Sequence, residues 1–135
     1  MITIATLTGS CILALGDLYT GMICSSDDLS KKASEIGQKT GEYVFRAPWN
    51  MDYDDNDSPY ADASNLSPTS REAGWIKAGL FLYRFVPDVK KDEKANFCHF
   101  DIAGSIDMEG KQRPWRQKGF SSGIGVGLLT GLLTE

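Results

Sequence analysis

Positive charge is missing from the start of this chain. No Lys or Arg precedes Lys31, although residues 1–15 are apolar enough to suggest a signal peptide. A secretory leader needs a basic segment ahead of its apolar one, so these residues are assigned to a protein core instead. Long apolar runs are absent too, and none reaches the roughly 20 residues of a membrane span. Basic residues are outnumbered throughout, fourteen against eighteen acidic ones, for a net charge of -4. Phosphate binding needs a basic surface, which argues against a protein whose main task is gripping nucleic acid. Three cysteines, at 11, 24 and 98, cannot pair completely, and their gaps of 13 and 74 residues fit no zinc pattern. Reduced thiols in a cytoplasmic protein are the simplest reading.

What is present fits one soluble domain. The 135 residues are 41% apolar and 24% charged, ordinary values that exclude a disordered tail or a collagen-like chain. There is no internal repeat and no long linker. Residues 2–7, rich in Ile and Thr, read as a buried strand. A second short strand is expected over 19–24. Residues 28–40 read as a surface helix capped by Ser25 or Ser26, with Leu29, Ala33 and Ile36 on one face. Gly37 weakens it by roughly 1 kcal/mol relative to Ala. A weak strand over 43–47 ends before Pro48. Residues 50–69 are polar and carry the acidic run Asp52, Asp54, Asp55 and Asp57. Residues 71–86 form the strongest helix prediction. There Ile76, Leu80 and Tyr83 share a face, Phe81 and Phe85 fill the next, and Lys77 and Arg84 mark a narrow polar stripe. Residues 90–94 read as a solvated charged connection, 96–102 as a strand followed by a loop with Gly104 and Gly110, and 124–133 as a short helix or apolar tail. Strands alternating with helices predict an α/β fold, read as a portion of a larger sheet domain.

Few residues stand out chemically. The acidic run offers hard oxygen ligands for calcium, but it lacks the Gly and terminal Glu of a helix-loop-helix calcium loop, so a solvated loop is the better account. His99 is the only histidine. It neighbours Cys98, yet successive strand residues point to opposite faces, so a structural imidazole is favoured over a catalytic Cys-His pair. Gly9, Gly16 and Gly21 are too widely spaced for a phosphate loop. Gly123, Gly125 and Gly127 lack the Lys-Ser/Thr that should follow. Ser10 and Ser70 have no identifiable base.

Taken in order, however, six segments resemble one family. Ile4-Ala5-Thr6-Leu7-Thr8-Gly9-Ser10-Cys11 with Ala14-Leu15-Gly16 is similar to the Ala-Thr-Leu-Thr-Gly-Ala stretch of the leucine aminopeptidases (cytosol aminopeptidases), which are two-metal peptidases. Thr40-Gly41-Glu42 and Arg46-Ala47-Pro48 resemble that family's Ser-Gly-Glu and Arg-x-Pro segment. Ala61-Asp62-Ala63-Ser64-Asn65 resembles its Ala-Asp-x-x-Asn. Ala73-Gly74 leading to Phe81-Leu82 and Phe85-Val86 resembles its Gly-initiated helix. His99-Phe100-Asp101-Ile102-Ala103-Gly104 resembles its His-Leu-Asp-Ile-Ala-Gly strand, and Gly123-Ile124-Gly125-Val126 with Leu128-Leu129 resembles its tail.

The resemblance implies an α/β fold: the C-terminal portion of a mixed-sheet domain with helices on both faces, spanning residues 1–135. It implies two divalent metal ions, zinc or manganese, in the complete protein. The family's Lys, Asp and Glu ligands, and the Lys and Arg beside its reacting carbonyl, precede the matched segment, so this chain alone is expected to bind no metal and to be inactive. No catalytic residue is assigned to it. By the same resemblance Thr6 and Leu7 offer backbone carbonyls near the substrate amine and the attacking water. Gly9 keeps the backbone close to the substrate. Ala103 and Ile106 line the pocket for the departing side chain, and Asn65 and Leu66 border the next. The implied partners are a peptide substrate with a Leu- or Met-like first residue, the N-terminal half of the same protein, and further copies in a hexamer. Neither a membrane nor nucleic acid is expected. The family's pattern is departed from at Trp75, where small residues are usual, at Gly127, where Arg is usual, and at Phe97, where Trp is usual. A non-catalytic structural or interaction protein that keeps the scaffold is the alternative. A first strand without its family neighbours also predicts poor stability for the isolated chain.

Overall fold

Within the described residues of the computed structural model, which are 1–66, 72–91, 93–106 and 121–134, the elements run β1 (Ile2–Ala5), α1 (Gly9–Leu15), β2 (Thr20–Cys24), α2 (Asp27–Thr40), β3 (Val44–Arg46), α3 (Gly74–Tyr83), β4 (Asp88–Lys90), β5 (Glu93–Lys94), β6 (Cys98–Asp101) and α4 (Val126–Thr134). A 3-10 turn, Met51–Tyr53, sits in the long loop after β3. One sheet has the order β1-β6-β2-β3, and β4 with β5 makes a separate ribbon. β1 runs parallel to β6, β6 antiparallel to β2, and β2 parallel to β3, so the sheet is mixed.

The strand period of two decides what each face buries. Met22, Cys24, Cys98 and Phe100 point to one side and pack against Ala33 and Ile36 of α2 and Leu128 of α4. Ile23 points to the other, against Cys11 of α1 and Trp75, Ile76 and Leu80 of α3. Helices therefore cover both faces, and β2 is buried at all five positions, as a strand between two helical layers must be. Trp75 fits because Gly21 makes room: a Cβ at Gly21 would lie 2.8 Å from the Cys11 sulfur and 2.9 Å from the Trp75 ring.

Several expectations are corrected. β1 ends at Ala5 rather than at residue 7 and is half exposed rather than buried, because it lies at the sheet edge and pairs only with β6 among the described residues. α1 was not anticipated. It starts at Gly9 because the Thr8 side chain accepts the Cys11 N–H. Ser26, not Ser25, caps α2, and Gly41 closes it in the left-handed region at φ 77°. α3 begins at Gly74, after Ala73 at φ 50°, and its regular part stops at Tyr83. The predicted start at Arg71 lies outside the described residues, as do Pro68, Thr69, Ser70 and Gly110 of the loops. Lys90, Glu93 and Lys94 of the charged connection belong to the β4–β5 ribbon, whose Lys94 ammonium donates to the Val86 carbonyl at 2.7 Å.

The tail is a helix, α4, and Glu42 explains where it starts. The Glu42 carboxylate accepts the Gly127 N–H at 3.2 Å and the Leu128 N–H at 2.6 Å. A carboxylate at a helix N-terminus satisfies orphan donors and meets the positive end of the dipole. A Cβ at Gly127 would press on Thr40 at 3.2 Å, so a glycine suits this junction.

Candidate functional site

The site is organised by a carboxylate at the end of β6. Asp101 is buried. Its Oδ1 accepts the Leu7 N–H and the Ala103 N–H, each at 3.1 Å, and its Oδ2 accepts the Thr8 hydroxyl at 2.7 Å. The Thr8 oxygen in turn accepts the Cys11 N–H at 3.1 Å. One side chain thus fixes the segment leaving β1, the start of α1 and the turn after β6. A buried charge is tolerable only with such partners. The turn is further pinned by Ser105, whose hydroxyl is 2.8 Å from that of Thr20, and by the Ile106 N–H on the Ile102 carbonyl at 2.9 Å.

Beside this clamp lies an open cleft of about 460 Å³ between residues 7–10 and α3. Leu7, Gly9 and Ser10 form one wall, and Asn56, Asn65 and Leu66 border it from the loop before α3. Ala78, Phe81 and Leu82 give it an apolar floor, and Lys77 adds a cation. Gly74 lets α3 approach α1: a Cβ there would lie 3.0 Å from the Ser10 hydroxyl. Asn56 is buried, donates through Nδ2 to the Ser64 carbonyl at 2.9 Å, and leaves its Oδ1 without a partner among the described residues.

Part of the acidic run is paired rather than solvated. Asp55 pairs with Lys77 at 2.7 Å and Asp54 with the Arg84 Nε at 2.9 Å, while Asp57 reaches the Arg84 Nη2 at 2.9 Å. Asp54 and Asp57 hold the Arg84 guanidinium above its ordinary value. The polar stripe of α3 therefore docks the loop that carries Asn56 and Asn65. Only Asp57 remains almost fully exposed in this pairing.

The structure brings Leu7, Gly9, Asn65 and Leu66 together in the cleft. Thr6, Ala103 and Ile106 do not line it: Thr6 is exposed in the link after β1, and Ala103 and Ile106 sit in the turn behind Asp101. Around Gly9 there is open space, since a Cβ there would meet nothing within 4 Å in this chain. Asp101, Asn56 and Lys77 were missed as site residues. The Asp-Ile-Ala-Gly match already contained Asp101, and the stripe on α3 contained Lys77. Asn56 carried no signal.

His99 is fully buried on the α1 and α3 side of the sheet, with Nδ1 2.9 Å from the Thr3 hydroxyl and Nε2 without a hydrogen-bond partner among the described residues. Burial holds its imidazole below the ordinary value, with Asp101 pulling the other way. Among the described residues no group of three or more His, Cys, Asp and Glu side chains gathers as a metal site. None of the helices among them is long and apolar enough to cross a membrane.

A mixed sheet covered by helices on both faces, with a cleft at the strand ends, places the chain in the α/β class. Residues 1–130 match the model of the cytosol aminopeptidase family, catalytic domain. The probable cytosol aminopeptidase of Rhodopseudomonas palustris is 39% identical over 136 residues, taking in 100% of this chain and 25% of that protein. The probable cytosol aminopeptidase of Xanthobacter autotrophicus is 40% identical over the same shares. A mutant tomato leucine aminopeptidase superposes with a TM-score of 0.80 at 32% identity, over 98% of this chain and 24% of its own. The chain belongs to the cytosol (leucine) aminopeptidase family, and it spans about a quarter of the length of the curated relatives it matches.

Proposed function

We propose that this chain forms the substrate-side wall of an aminopeptidase that releases Leu- or Met-like N-terminal residues from peptides, as the C-terminal part of its catalytic domain. The supporting observation is the cleft in which Leu7 and Gly9 face Asn65 and Leu66 over an apolar floor. In this reading the carbonyls of Thr6 and Leu7 orient the substrate amine, and Asp101 keeps them in place through the Leu7 N–H. Ala103 and Ile106 bound the first-residue pocket, and Asn65 and Leu66 the second. An apolar pocket of this kind separates substrates by about 1–3 kcal/mol per methylene. Two divalent ions, zinc or manganese, belong to residues outside this chain, and no chemical step is assigned to its own side chains. Cytoplasmic location and a hexamer follow the family resemblance.

The test uses the complete polypeptide that carries this chain. Its kcat/KM for leucyl over alanyl substrates is expected to fall in the Ala103→Phe variant, because the larger side chain fills the pocket. An unchanged ratio in a correctly folded variant removes Ala103 from the pocket. The 135-residue chain alone is expected to give no turnover with zinc, manganese or cobalt beyond a chelated control. Absence of turnover in the metal-loaded complete protein would favour the scaffold-only alternative.

A further inference from the structure

Cys24 and Cys98 stand directly opposite each other where β2 pairs with β6. The Ser25 N–H donates to the Phe97 carbonyl at 2.9 Å. That bond joins the residues flanking the two cysteines, which makes Cys24 and Cys98 a non-hydrogen-bonded antiparallel pair. Such pairs have the closer spacing, with Cα atoms about 4.5 Å apart. Disulfides span Cα separations from about 4.4 to 6.8 Å, so a bridge fits the existing ladder. Both side chains point to the same face, among Met22, Ala33, Phe100 and Leu128, and both are fully buried.

The two thiols are also unequal. Hydrogen bonding from Cys98 brings the Cys24 thiol down to about 7, while the same contact and burial push Cys98 up. The Arg46 guanidinium, which donates to the Cys24 carbonyl at 3.3 Å, adds a positive charge beside this thiol, so Cys24 is the attacking member of the pair. Cys11 lies in the other core, on the opposite side of the sheet, with its thiol donating to the Asp101 carbonyl at 3.6 Å. Burial pushes it up to about 11, and it has no sulfur partner in its cluster.

We propose that Cys24 and Cys98 form a dithiol site that a small hydroperoxide oxidises to a cross-strand disulfide. The Cys24 thiolate attacks one peroxide oxygen, the O–O bond breaks, and the departing hydroxide takes a proton to become water. Cys24 is left as a sulfenic acid. The Cys98 sulfur then attacks the Cys24 sulfur, the S–S bond forms, and the sulfenic hydroxyl leaves as a second water with the Cys98 proton. Two electrons leave the two thiols, and hydrogen peroxide is reduced to two waters. Hydrogen peroxide is the oxidant proposed because it is nearly water-sized, whereas full burial of both cysteines excludes bulkier oxidants. The product ties the end of β2 to the start of β6 and leaves Asp101, at the other end of β6, untouched.

The experiment treats the reduced, folded protein with hydrogen peroxide, removes the excess with catalase, and alkylates under denaturing conditions. Chymotrypsin, which cuts after Tyr19, separates Cys11 from Cys24. A peptide linking Cys24 to Cys98, lost on reduction, is expected together with an alkylated Cys11. The Cys98→Ser variant is expected to stop at a sulfenic acid on Cys24 that dimedone captures. Because the linked peptide is read in the natural sequence, the proposal does not depend on how well that variant folds. Full alkylation of both Cys24 and Cys98 after peroxide, independent over-oxidation of each without a link, or a link made by Cys11 instead would each overturn it.

Discussion

The Thr8 hydroxyl and the Asp101 carboxylate, 93 positions apart in sequence, meet at 2.7 Å. Through that contact the strand bearing the Asp-Ile-Ala-Gly match fixes the start of α1, because the same Thr8 oxygen holds the Cys11 N–H.

Removing the carboxylate should therefore loosen three segments together. Asp101→Ala leaves two backbone N–H groups and one hydroxyl unpaired, at about 1–3 kcal/mol for each donor that water cannot reach. Asp101→Asn retains one acceptor oxygen and should cost less. Denaturant unfolding of both variants gives the order. An Asn variant less stable than the Ala variant would contradict the clamp.

Gly21 and Trp75 predict a coupling. Gly21→Ala places a methyl 2.9 Å from the Trp75 ring and should destabilise by about 1–3 kcal/mol through overpacking. Trp75→Leu vacates that space at its own cost. The double variant is expected to be more stable than the sum of the two losses implies. Additive losses in a double-mutant cycle would mean that the methyl is accommodated elsewhere.

The loop carrying Asn56 and Asn65 is expected to depend on Arg84. Asp54 is 12% exposed in its pair with that guanidinium, whereas Asp57 is 93% exposed. Asp54→Asn should cost about 1 kcal/mol, and Asp57→Asn should change stability little, since exposed pairs are screened by solvent and salt. Equal effects in thermal unfolding at low salt would count against an ordered loop anchor.

His99 sets a pH dependence. Its folded imidazole lies below the ordinary 6.5, so near that pH the unfolded chain binds more protons than the folded one. Stability should rise with pH through the window just below 6.5 and level off above it. Thr3 and Asp101 are the polar groups facing the ring. Denaturation midpoints between about pH 5 and pH 7 should show a flatter slope for His99→Gln than for the natural sequence. Identical slopes would assign the dependence to carboxylates.

Hydrophobic period exposed α2, whose Leu29, Ala33 and Ile36 share one face, and residues 19–24 and 96–102 read as the strands that became β2 and β6. It did not expose α1, a helix of seven residues whose start depends on Thr8 and thus on Asp101. Nor did it expose the β4–β5 ribbon, whose charged residues carry no apolar pattern. In the site, Leu7, Gly9, Asn65 and Leu66 were reachable from the family resemblance, though no local pattern picks them out. The pairing of Lys77 with Asp55 was hidden because its partners come from separate segments, 22 positions apart. The Cys24–Cys98 alignment was hidden for the same reason: it is a matter of register, which spacing does not encode.

Glu42 has a kinetic consequence. α4 carries Gly127 and Gly131 among its nine residues, so its own nucleation is unfavourable. Its first turn is stabilised by the Glu42 carboxylate, which the junction between α2 and β3 holds in place. The amides of α4 should therefore lose protection from solvent exchange whenever that distant junction opens.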